Sequence, residues 1–132
     1  MIRSGILNPA LNSLLARVRH TNMLVIADRG FPYWPMIETV DLSLVDDVPT
    51  VLQVLNAIRQ NFDICQIYMA EEFKAGNTAA LQERFAQSTA GLPLQFEPHG
   101  TLKQRVPHAI GLVRTGDTTQ YANMVLVSGL PV

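Results

Sequence analysis

The run Met23-Leu24-Val25-Ile26-Ala27-Asp28-Arg29-Gly30 decides how this chain folds. Five apolar residues in succession, stopped by an acid and a glycine, are too short for an ordinary helix and show no alternation of polar and apolar faces. Such a run suits a strand buried on both sides, as in parallel sheets that helices cover on both faces. Upstream, Asn8-Pro9 has the form of an N-cap followed by proline at the first helical position. Leu11, Leu14, Leu15 and Val18 then recur at helical spacing and predict a helix ending near Arg19.

Downstream, residues 31–35 form a loop rich in proline and aromatic residues, and residues 40–45 read as a short strand before Asp46-Asp47-Val48-Pro49. Val51, Val54, Leu55, Ile58 and Phe62 fall on one stripe of a helix starting at Thr50, and Ile64–Ala70 reads as the next buried strand. A polar helix is expected over 77–87, stopped by Gly91 and Pro93. Residues 94–96, 110–113 and 124–128 are three further strand candidates. Helices and strands alternating at these lengths imply one α/β domain over 1–132, with helices on both faces of a mostly parallel sheet.

The composition narrows the ligand. A formal net charge of -1 offers no field to hold a nucleic-acid backbone or an anionic membrane, so a small neutral or weakly polar ligand is the expected partner. Charged residues make up 16% of the chain, against about 25% in typical soluble domains. Either some apolar surface is covered by another subunit, or the surface is polar without being charged. Cys65 is the only cysteine, which rules out an intramolecular disulfide or a multi-cysteine metal site and fits a reducing compartment. Met1-Ile2-Arg3-Ser4-Gly5-Ile6-Leu7 has no apolar run of signal-peptide length, and no stretch has the ~20 apolar residues of a spanning helix, so a cytoplasmic location is expected.

Ligands of open α/β sheets collect at the carboxyl ends of the strands, and Asp28 stands at such an end. Its carboxylate is suited to accept hydrogen bonds from hydroxyls, or simply to cap the turn at Gly30. His20 lies between the first helix and that strand, and histidine is the residue type able both to donate and to accept a proton near neutrality; a histidine ending a helix also favours the dipole. His99 follows the 94–96 strand and a proline as a third polar group near a strand end, whereas His108 precedes an apolar strand and reads as a surface residue. Tyr121 and Asn123, two apart at the start of the last strand, are expected to face one way and offer donors and acceptors; such pairs also serve as turn residues. No glycine-rich phosphate loop, HExxH motif or GxSxG elbow is present, and Cys65 lies within a buried strand, where a thiol is inert. Neither covalent nor cofactor-dependent chemistry is expected.

His20-Thr21-Asn22-Met23-Leu24-Val25-Ile26-Ala27-Asp28-Arg29-Gly30-Phe31-Pro32 resembles the N-terminal signature of the D-ribose pyranase and L-fucose mutarotase family. Val113-Arg114-Thr115-Gly116, followed by Tyr121-Ala122-Asn123-Met124-Val125-Leu126, is similar to its second signature. Val48-Pro49-Thr50-Val51-Leu52-Gln53-Val54 and Glu71-Glu72-Phe73-Lys74 are similar to its middle blocks. The resemblance implies a three-layer α/β/α subunit in a ring-like homo-oligomer, commonly a decamer, with clefts between neighbouring subunits. It implies that His20 is the catalytic proton donor and that Asp28, His99, Tyr121 and Asn123 hold the sugar. Tyr-Ala-Asn and His99 favour the ribose pyranase branch.

Arg29 and the aromatic stretch Phe31-Pro32-Tyr33-Trp34-Pro35 depart from the family pattern and bear on specificity. Trp34 is able to stack on a sugar face or to fill an intersubunit contact, and Arg29 to meet a carboxylate or hydroxyl of the ligand or to pair with an exposed acid. The reading is a cofactor-independent isomerase that interconverts cyclic forms of a free monosaccharide such as D-ribose or L-fucose. A non-catalytic sugar-sensing oligomer linked to transport is the alternative, and a purely structural subunit leaves the convergence of polar groups unexplained.

Overall fold

The computed structural model describes residues 1–130, so the last two positions of the expected domain lie outside it. Helix α1, Pro9–Arg17, begins where Asn8 accepts the Leu11 N–H at 2.9 Å and stops two residues short of expectation, because Val18 is already extended. Strand β1, Met23–Ala27, has the predicted bounds, with Leu24 to Ala27 fully buried. Strand β2 spans Glu38–Asp41 instead of 40–45. The difference follows from residues 42–49, which turn back on themselves through a bridge between Val45 and Val48 and cannot stay in the sheet.

Helix α2, Val51–Arg59, is started by a capping box in which Thr50 takes the Gln53 N–H and Gln53 takes that of Thr50. It sends Val51, Val54, Leu55 and Ile58 into the core. Strand β3, Ile64–Ala70, matches expectation and leads into the short helix α3, Glu72–Gly76, which the pattern did not reveal. Helix α4, Ala79–Ser88, strand β4, Leu94–Glu97, and a second unexpected helix, α5, His99–Arg105, come next. A 3-10 turn, Val106–His108, and strands β5, Gly111–Arg114, and β6, Met124–Ser128, are the last elements among the described residues.

The six strands lie in the order β2-β5-β1-β6-β3-β4. β1 and β2 both run parallel to β5, and β3 parallel to β4, whereas β6 is antiparallel to its neighbours β1 and β3. One layer, α1, α2, α3 and α4, buries the larger core; the opposite face is covered by α5, the 3-10 turn and Phe31. Gly111 lets α1 approach, since a Cβ there would sit 2.7 Å from a methyl of the fully buried Leu14. Adding one methyl would therefore separate helix from sheet. No helix among the described residues is long and apolar enough to cross a membrane.

This topology sets where function can lie. Because β6 alone runs backwards, its start shares an edge with the ends of the other strands. Asp28 after β1, His99 after β4 and Asn123 before β6 thus stand on one rim.

Candidate functional site

At that rim Asp28, Gly30, Phe31, Pro32, His99, Gln120, Tyr121 and Asn123 line an open cleft of about 350 Å³. That is at the lower end of the roughly 300–1,000 Å³ typical of small-molecule sites. Asp28 caps its turn and also faces the cleft. Its Oδ1 accepts the Gly30 N–H at 2.9 Å, closing the turn, and its carboxylate still lines the cleft. Burial pushes this carboxyl above the usual carboxylate value, a rise opposed by the N–H groups of Gly30 and Phe31 and by the Asn123 side chain. Asn123 is itself buried and takes the Asp28 N–H on its Oδ1 at 2.7 Å, tying β6 to the end of β1.

His99 is the first residue of α5, not a loop residue, and its backbone N–H is held by both carboxylate oxygens of Glu72 at 3.0 and 3.1 Å. Its ring meets Tyr121 edge-on at 5.1 Å and Phe31 at 6.2 Å. Desolvation, aided by Lys103, lowers its pKa below the ordinary 6.5, against the opposing pull of Glu72 and Asp28. A neutral imidazole donates on one nitrogen and accepts on the other, as a hydroxyl partner requires. Tyr121 is not in β6, so the alternation expected of strand residues does not apply to it. It sits in a left-handed turn at φ 56°. That conformation is uncommon for a non-glycine residue and persists only where neighbours enforce it. Asn77 does so, by donating to the Gln120 carbonyl at 2.9 Å.

Buried Asp117 supports the same rim. Its side chain accepts the N–H groups of Val51 and Thr119, each at 2.8 Å, and its carbonyl takes that of Arg29 at 3.0 Å.

His20 is elsewhere. It precedes β1, so the whole strand, ~17 Å at 3.3 Å per residue, separates it from Asp28. It lines a different groove of about 540 Å³, with Asp63, Ser128 and Gly129. Gly129, at φ 148°, lets the imidazole lie against the end of β6; a Cβ there would stand 2.6 Å from His20 Nδ1. Four of the five main candidates therefore meet in one cleft, and the fifth faces the opposite edge of the sheet.

The model of the RbsD / FucU transport protein family matches residues 1–131. The chain belongs to that family. It is 43% identical over 130 residues to the D-ribose pyranase of Geobacillus kaustophilus, covering 98% of this chain and 95% of the relative. A D-ribose pyranase of Chromobacterium violaceum is 38% identical, with 98% of each chain covered. Bacillus subtilis RbsD, solved in complex with D-ribose, superposes with a TM-score of 0.90 at 29% identity over 100% of both chains. The fucose mutarotase of Streptococcus pneumoniae, solved with L-fucose, shares the fold, with a TM-score of 0.79 at 19% identity over 95% of this chain and 94% of that one.

Arg29 and Trp34, the two specificity candidates, lie outside the cleft wall, whereas Phe31 and Pro32 of the same aromatic stretch are part of it. Arg29 pairs with Asp46 at 2.5 Å on the surface, where both side chains remain more than half exposed. Trp34 stacks on Phe31 at 6.2 Å, so it backs a wall residue without forming the wall. His108 is exposed, and Cys65 is half-buried beside a register shift in β3 instead of sealed in the strand. Sequence reasoning missed Gln120, which lines the cleft from an irregular loop, and Glu72, whose role requires an unpredicted helix to meet another. No periodic pattern marks either residue.

Proposed function

We propose that this protein interconverts cyclic forms of a free monosaccharide, D-ribose foremost, by opening and reclosing the ring without a cofactor. The observation that carries this reading is the convergence of Asp28, His99, Tyr121 and Asn123 on one small cleft in a chain 43% identical to a D-ribose pyranase. A carboxylate, a neutral imidazole, a phenol and an amide supply the mixed donors and acceptors that a polyhydroxylated ring demands. Phe31 and Pro32 offer it an apolar wall.

Ring opening removes the anomeric hydroxyl proton and protonates the ring oxygen. Reclosure through another hydroxyl changes the ring size, and reclosure on the other face changes the anomer. His20 is assigned as the proton donor, and general acid/base help of ~10²–10⁴-fold is enough for a reaction that already proceeds unaided. Because His20 stands at the far edge of its own sheet, this assignment requires the partner subunit's His20 at each cleft. The active form is thus a cytoplasmic homo-oligomer with shared sites, a decamer on the family's pattern. The low charge content and the exposed Leu44, Val45 and Tyr33 support an assembly of this kind.

Saturation-transfer proton NMR of the anomeric signals of D-ribose and L-fucose, with and without protein, tests the reading. Faster exchange between ring forms is the expected result. Sugar binding without faster exchange would replace it by the sensing role, which the absence of His20 from its own subunit's cleft favours.

A further inference from the structure

We infer that Arg114 is a positioning residue of the sugar cleft: its guanidinium gathers the carbonyls of the turn that carries Asp28 and so sets sugar affinity without touching the sugar. This inference rests on the functional reading above. Arg114 ends β5, directly beside Ala27 in the parallel pairing with β1. Residues two apart in a strand share a face, so Arg114 points to the side on which Leu112 packs beneath α5. There its Nη1 donates to the Asp28 carbonyl at 3.2 Å and to that of Arg29 at 3.3 Å, while Nη2 donates to that of Pro32 at 3.3 Å.

The same turn presents its opposite polarity to the ligand side. The Gly30 N–H holds the Asp28 carboxylate at 2.9 Å, and Gly30, Phe31 and Pro32 all line the cleft. One side of the turn thus fixes the carboxylate and the other is fixed by Arg114. Among the described residues no carboxylate lies within ion-pair distance of Arg114, although Arg17, Arg29 and Arg105 each have one. Every hydrogen bond this guanidinium makes serves the one turn. Three carbonyls spread over five residues need a planar fork; an ammonium on a flexible stem reaches fewer of them in good geometry. If the fork is lost, Asp28 and Phe31 shift together, and Phe31 is one of the two rings that hold His99.

The test measures D-ribose affinity by calorimetry and ring exchange by NMR for wild type, Arg114→Met and Arg114→Lys. Both variants are expected to bind about tenfold or more weakly, while exchange at saturating ribose stays within about threefold. Methylguanidinium is expected to restore part of the affinity of Arg114→Met and to leave wild type unchanged. If Arg114→Met fails to fold, Arg114→Lys carries the same comparison with the charge retained. Ribose affinity within about twofold of wild type in a folded variant would overturn the role of Arg114 alone. Failure of wild type to bind D-ribose would instead overturn the functional reading on which it rests.

Discussion

At the carboxyl edge of the sheet three segments far apart in sequence bring Asp28, His99, Tyr121 and Asn123 together, with hydrogen bonds holding Asp28, His99 and Asn123. At the amino edge His20 stands exposed on a turn that Asn22 closes and the Ser128 carbonyl anchors through Thr21 at 2.8 Å. The first edge has acceptors, donors and a wall, which is what holding a ligand takes. The second has one titratable ring and space beside it. On the proposed reading, a subunit organised in this way would separate affinity from rate, one edge binding the sugar and the other offering its proton to a neighbour.

The sharpest way to break that comparison is to disable the two edges in different subunits. His20→Ala should slow exchange by ~10²–10⁴-fold with binding retained. Asp28→Asn should weaken binding by roughly tenfold to a hundredfold, the scale of one charged hydrogen bond. Unfolded together and reassembled in equal amounts, the two variants should regain about a quarter of wild-type exchange, since random neighbours pair an intact His20 with an intact Asp28 that often. If the mixture is as slow as its components, sites are not shared between subunits.

Gly129→Ala sharpens the comparison at the amino edge. The added methyl enters the space of His20 Nδ1 and puts a side chain where φ is 148°, so exchange should fall by about tenfold while ribose affinity is unchanged. Equal losses of rate and affinity in NMR and calorimetry would show that the edges are not independent.

The smallest effect is electrostatic and belongs to the carboxyl edge. His99 has a lowered folded pKa, so between that value and the ordinary 6.5 the unfolded chain binds more protons than the folded one. Stability from this group is present above 6.5 and is lost as pH falls towards the folded pKa. Asp28 has the opposite sign: its pKa is raised, so the folded state binds more protons and stability falls as pH rises from 3.8 through the folded value. In denaturant titrations across pH, His99→Asn should flatten the first slope and leave the second. An unchanged slope below 6.5 would show that His99 is not the group responsible.

Much of the framework was legible because it depends on local patterns. The apolar runs of β1, β3 and β6 have the bounds their composition indicated, and Asn8-Pro9 and Thr50 start helices where they were expected to. The shorter elements were not legible. Helices α3 and α5, of 5 and 7 residues, are too brief for a helical period to emerge, and they are held by contacts from elsewhere. Arg105, the last residue of α5, lies 2.6 Å from the Glu97 carboxylate at the end of β4 and so ties the helix back to the strand before it.

The sequence by itself determined the α/β class, the strand-end position of Asp28 and the residue types able to meet a sugar, because each follows from a short apolar run and what interrupts it. Only the tertiary structure decided that Tyr121 and Asn123 join Asp28 while His20 does not. That outcome turns on the direction of β6, which is set by its pairing with β1 and β3 across distant parts of the chain, and no local pattern encodes it.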